Sequence, residues 1–170
     1  FRTAARTSLG DVALREGRYK DAAKMLTDAA SGAKKDTRLD LMWPAQRGLG
    51  RSLWLQAAQD KSGAKVRDDA LDSYREALKT IETIRAGSLR ADESRSTFLA
   101  TTKDVYDEAA SAFAEMALLA DRGSSPTVRE GSAPLSGKAL DYAAESFRIT
   151  EAGRARSLLD MLGEVNAQIT

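Results

Sequence analysis

The chain contains no cysteine and no histidine among its 170 residues. Without Cys there is no disulfide framework and no thiolate metal ligand. The redox compartment therefore cannot be read from thiols, and the cytoplasm is only a working expectation. Without His, the usual base for a Ser or Cys nucleophile is missing. Zinc sites lose both of their favoured ligands. No Gly-x-x-x-x-Gly-Lys loop is present to cradle a phosphate, and no Ser-x-x-Lys lies in a strand–turn–helix context. Carboxylate neighbours such as Asp68/Asp69 and Asp92/Glu93 sit among Arg and Lys and read as solvated helix ends or faces. The expectation is a non-enzyme with no cofactor and no metal.

Proline is scarce as well, with only Pro44, Pro126 and Pro134, and aromatics make up 6% of the chain. No apolar run approaches the ~20 residues that span a bilayer, so no membrane insertion is expected. Neither sign of charge dominates: 26 basic against 25 acidic residues leave +1. That balance argues against a nucleic-acid footprint, which needs a net basic face.

What is present is alanine and helical periodicity. Ala70, Leu71, Tyr74, Ala77, Leu78, Ile81 and Ile84 recur in steps of three and four, a single apolar stripe. A second stripe runs Phe98, Val105, Tyr106, Ala109, Phe113, Met116, Ala117 and Ala120. No segment alternates apolar and polar residues as a strand would. The spacing predicts an all-α chain of six or seven helices in antiparallel pairs. Gly17 marks a tight turn, residues 31–36 and 60–63 are expected loops, and Gly87 closes the first stripe. Residues 122–138 hold three Gly and two Pro without periodicity, and a flexible loop is expected there. Pro44 either opens a helix in its first turn or kinks a longer one; its spacing to Leu49-Gly50 favours the first.

The helices also repeat. Leu9-Gly10, Gly17, Tyr19, Ala22, Leu26 and Ala29 are small, large and turn-forming residues in the order a helix hairpin needs. Gly10 and Ala22 allow close backbone approach, Gly17 turns the chain, and Tyr19 and Leu26 fill the gap to the neighbour. The pattern returns at Leu49-Gly50, Ala70, Tyr74 and Ala77, with about eight additional residues expected at 60–67. A third pair, 94–120 and 136–162, is looser and its register stays open. A generic helical bundle would satisfy much of this pattern.

The Leu9–Ala29 run resembles the tetratricopeptide (TPR) repeat, with Lys34 near the place of the usual closing proline. That resemblance implies one domain over residues 1–170, about three helix pairs stacked as a right-handed superhelix. The second half resembles something narrower. Leu89 to Leu99, Val105-Tyr106-Asp107-Glu108, and above all Glu151-Ala152-Gly153-Arg154-Ala155-Arg156-Ser157-Leu158-Leu159-Asp160 resemble the last repeats and junction helix that precede a CHAT domain, a caspase-like module. The resemblance implies a fragment of a longer chain: a regulatory or sensing arm that binds a protein or peptide partner, or a downstream domain. Arg154 and Arg156 would then lie at the domain junction, or be plain surface charges. A similar arm in a bacterial transcriptional regulator is the alternative.

TPR arrays bind along the surface lined by the first helix of each pair. The register puts Arg47, Arg51 and Trp54 there, spaced by four and three on one helix face. Two guanidiniums beside an indole suit a carboxylate; a solvated face and a core Trp are the plainer readings. Trp43, eleven residues before Trp54, shares the ambiguity. The equivalents in the first pair would be Thr7, Asp11 and Leu14, which departs from carboxylate-gripping TPRs, so a carboxylate clamp is not expected. Exposed repeat ends are expected to allow a homodimer, weakened by Leu158→Asp or Leu159→Asp.

Overall fold

The computed structural model describes residues 2–60, 63–88, 92–123 and 137–169. Among them are six helices and no strand: α1 (Arg2–Arg15), α2 (Tyr19–Lys35), α3 (Leu39–Gln59), α4 (Ala64–Ser88), α5 (Asp92–Gly123) and α6 (Gly137–Ile169). Packing divides the chain into two compact units, Phe1–Arg90 and Ala91–Thr170. In the first, α1 packs on α2, α2 on α3 and α3 on α4, and α1 also touches α3; in the second, α5 packs on α6. The fold is an all-α helical repeat.

Two reversals of the same design set up the first unit. At the end of α1, Gly17 N–H donates to Leu14 O (3.1 Å) and Arg18 N–H to Ala13 O (2.9 Å), with Gly17 at φ 76°. This is a Schellman cap, and its left-handed residue is the glycine expected from the sequence. Twenty residues later the bonds recur: Thr37 N–H to Lys34 O (3.2 Å) and Arg38 N–H to Ala33 O (2.9 Å). Here the left-handed position is held by Thr37, at φ 53°.

That second cap corrects two expectations. Residues 31–35 are not a loop but the last turns of α2. Gly32 does not break the helix; it lies against the Thr3 hydroxyl, 3.1 Å from where its Cβ would stand. Nor does α3 begin at Pro44. Leu41 and Met42 N–H both bond Arg38 O, so the helix is running before proline is reached. Pro44 sits inside α3, and the bond it cannot make is the one to the carbonyl of exposed Asp40.

The core is built from close approaches between small and large residues. Leu26 is fully buried and is held from two sides. A Cβ on Gly10 of α1 would stand 2.6 Å from Leu26 Cγ, and one on Gly48 of α3 would stand 3.1 Å from both of its methyls. Leu26 thus wedges the first hairpin to its neighbour, as the sequence implied. The second hairpin repeats the device: a Cβ on Gly50 would come within 3.1 Å of the Ala70 carbonyl and of the Tyr74 ring.

The additional residues of the second hairpin are not concentrated at 60–67. Arg15 ends α1 five residues past Gly10, but Gln59 ends α3 nine past Gly50; α2 starts three residues before Ala22, α4 six before Ala70. The hairpin is extended by about one turn on each side; of the loop expected at 60–63, residues 61–62 lie outside the described residues. Within α4 the stripe is the buried face: Ala70, Leu71, Tyr74, Ala77 and Ile81 are buried. Buried Thr80 Oγ1 lies 2.9 Å from Gln46 Oε1 of α3 and 2.8 Å from Glu76 O.

In the second unit the other stripe faces inward. Val105, Tyr106, Ala109, Phe113, Met116 and Ala117 are buried on α5, with Ala139 and Ile149 buried on α6. Ser146 Oγ donates to Ala110 O (2.8 Å), and the Phe113 and Tyr142 rings are tilted with centroids 6.4 Å apart. The small and large roles are exchanged here: Gly153 of the second helix lies against Tyr106 of the first, at 3.1 Å from its would-be Cβ. Of the loop expected at 122–138, residues 122–123 and 137–138 are helical, and 124–136 lie outside the described residues.

Candidate interaction surface

Arg47, Arg51 and Trp54 all lie on α3. Arg47 and Trp54 are half-buried and Arg51 is exposed, all within a narrow sector of the helix. Trp43 is different: it is buried, at 7%, and belongs to the core. Trp54 is neither fully core nor fully surface.

What gives this face its character comes from α1. Asp11 lies within the electrostatic reach of Arg47 and Arg51, and of Arg15 one turn along its own helix. Its carboxylate sits on Gly48, 3.4 Å from where a Cβ would stand. A side chain at position 48 would occupy space next to the acid. Partial burial pushes the Asp11 carboxyl above its ordinary value, and the three arginines pull it back down by less. Arg15, Arg47 and Arg51 are the cations that act on this acid.

The other members of the first-pair face behave differently from one another. Leu14 is buried at 8% and lies in the core with Ala13, Ala22 and Leu26; it contributes no surface. Thr7 is half-buried and its hydroxyl donates to Thr3 O at 3.2 Å. The structure therefore brings Asp11 to Arg47 and Arg51, and removes Leu14 from the set.

The pair expected at a domain junction splits as well. Arg154 is exposed and its guanidinium meets Glu151 Oε1 at 3.1 Å, one turn back along α6. Arg156 is half-buried and, two residues on, lies on the opposite side of the helix. Leu158 is 56% exposed, and the side chain of Leu159 lies outside the described set.

Among the described residues no group of three or more acids, His or Cys could hold a metal ion, and no helix is long and apolar enough to cross a membrane. No family model, no curated protein and no solved structure matches this chain.

Proposed function

We propose that this chain is a non-catalytic protein-binding scaffold of TPR-like helix pairs, with the right-handed stacking that goes with them. Its binding face is the one shared by α1 and α3. The observation that carries the reading is the convergence of Asp11, Arg47 and Arg51 on that face. First helices of successive pairs are neighbours there, as α1–α3 packing requires. They bring Arg15, Arg47 and Arg51 to act on Asp11, and α3 adds the half-buried indole of Trp54. The partner that fits is a peptide segment with a carboxylate, which would bond the guanidiniums in place of Asp11 and lay an apolar residue on Trp54.

The test is fluorescence polarisation with acidic, neutral and basic peptides of equal length. The acidic peptide is expected to bind best, and Arg47→Glu/Arg51→Glu to weaken it at least about tenfold. Equal binding of all three peptides, or an unaffected double variant, refutes the assignment.

More narrowly, we propose the regulatory arm of a CHAT-type protease-like protein, acting on a downstream domain through α6. The support is the Arg154-Ala155-Arg156-Ser157-Leu158-Leu159-Asp160 run, which keeps Arg154 and Leu158 exposed. Reading the parent gene past Thr170 decides it. A caspase-like segment bearing His and Cys supports the assignment. A DNA-binding segment there would instead make this the sensor arm of a transcriptional regulator.

A further inference from the structure

Helix α6 carries a row of exposed large apolar side chains on the side away from α5. Leu140 is 57% exposed, Phe147 66% and Leu158 56%. Leu140, Ala144, Phe147, Glu151, Arg154 and Leu158 follow one another in steps of four, three, four, three and four. That alternation is the seam of a coiled coil, and the sequence continues it at Met161 and Val165. Ser146 and Gly153, which meet α5, and the buried Ala139 and Ile149 lie on the far side of the helix. A row of this kind is not accounted for by scattered surface hydrophobics.

We infer that this seam is a self-association surface, and that its occupant is the α6 of a second copy of this chain, running antiparallel. The argument is complementarity of register and charge. In an antiparallel pair related by a two-fold axis, facing positions have a constant sum. Setting Phe147 opposite Leu158 of the second copy sets Glu151 opposite the second copy's Arg154, and the reverse pairs follow by symmetry. Apolar meets apolar and acid meets base in the same alignment. A parallel pair would instead place Glu151 against Glu151 and Arg154 against Arg154, so the charged layer selects the orientation. Within one chain Glu151 and Arg154 already pair at 3.1 Å, with side chains 49% and 75% exposed, so both are available to a second copy without unfolding anything. This surface does not depend on the α1–α3 face; it does use Arg154 and Leu158, so a second copy would compete for them with the downstream domain proposed above.

One helix per copy buries less than the roughly 1,200–2,000 Å² of standard interfaces. The dimer is accordingly expected to dissociate in the range of about 10–100 μM. Sedimentation velocity of the full chain across about 1–200 μM spans that range.

Charge reversal provides the test. Glu151→Arg alone makes every charged layer Arg–Arg, and Arg154→Glu alone makes it Glu–Glu. Each is expected to weaken association at least about tenfold. An equimolar mixture of the two variants restores opposite charges in every layer and is expected to recover the dimer. The same holds for the double variant Glu151→Arg/Arg154→Glu. Both positions are exposed, so far-UV circular dichroism of the variants should match the parent. A parent chain that stays monomeric throughout, single variants that associate like the parent, or a mixture that fails to recover the dimer would each overturn the inference.

Discussion

Leu26 is the side chain on which the first unit turns, and Gly10→Ala is the sharpest way to test that. The substitution adds one methyl group. Judged by helix propensity alone it should stabilise α1 by about 1 kcal/mol, since Gly is the poorer helix former. The structure opposes this. The new Cβ would stand 2.6 Å from Leu26 Cγ and 2.9 Å from one of its methyls. A flexible side chain could retreat, but Leu26 is held from behind by Gly48, whose own Cβ position lies 3.1 Å from both methyls. Overpacking of this kind costs about 1–3 kcal/mol, and a side chain with no free direction belongs in the upper half of that range. Net of the propensity gain, Gly10→Ala is expected to destabilise by about 1–2 kcal/mol. The sign should reverse once Leu26 is cut back. Leu26→Ala alone costs about 2–5 kcal/mol through the cavity it leaves. In that background Gly10→Ala fills part of the cavity and recovers its propensity gain, so it becomes stabilising. Urea unfolding followed by tryptophan fluorescence suits the cycle, because both tryptophans, Trp43 and Trp54, fall in the first unit. If Gly10→Ala stabilises the parent chain, or shifts both backgrounds equally, the wedge reasoning is refuted.

Other substitutions isolate single features. Thr37 sits in the left-handed region at φ 53°, where a β-branched residue is strained, so Thr37→Gly should stabilise by about 1 kcal/mol in the same urea titration. Thr80→Val removes a buried hydroxyl and leaves the Gln46 amide without it; a loss of about 1–3 kcal/mol is expected, largely recovered in Gln46→Leu/Thr80→Val. The Asp11 carboxyl is raised by burial, so just above the ordinary Asp value of about 4 the folded chain holds more proton than the unfolded one. Its contribution to stability therefore falls as pH rises through that window. Asp11→Asn should abolish this slope; parallel stability–pH profiles for variant and parent would contradict it. Asp40, lowered by its hydrogen bonds with Arg38, works in the opposite direction, losing stability as pH falls.

Much of the architecture was legible because it rests on local rules. The two long apolar stripes are the buried faces of α4 and α5, since burial follows a 3.6-residue period wherever one side of a helix must leave water. Gly17 was readable as a turn because the left-handed region is nearly exclusive to glycine. The misreadings share a cause. Residues 31–36 read as a loop because Gly32 has the composition of a breaker and Thr37 does not. Whether a glycine ends a helix or admits a neighbouring helix depends on a contact, here with Thr3, nearly thirty residues away. Pro44 reads as a helix start for the same reason: the reversal that ends α2, just before α3 begins at Leu39, uses a threonine in a glycine's place.

The interaction face divides along the same line. Arg47, Arg51 and Trp54 share a sector of one helix, and spacing alone reveals that. Asp11 had been aligned with Arg51 as an equivalent position, which made it look like a departure from an anion-binding pattern. Equivalent positions on successive first helices are neighbours in such a stack, which puts Asp11 within the electrostatic reach of Arg47 and Arg51. The α6 seam was also present in the sequence as steps of four and three from Leu140 to Leu158. What the sequence could not supply was which of two apolar faces α5 covers. With Gly153 against Tyr106 of α5, the face bearing Leu140, Phe147 and Leu158 is the exposed one. The order of its charges, Glu151 before Arg154, matches the order an antiparallel copy presents.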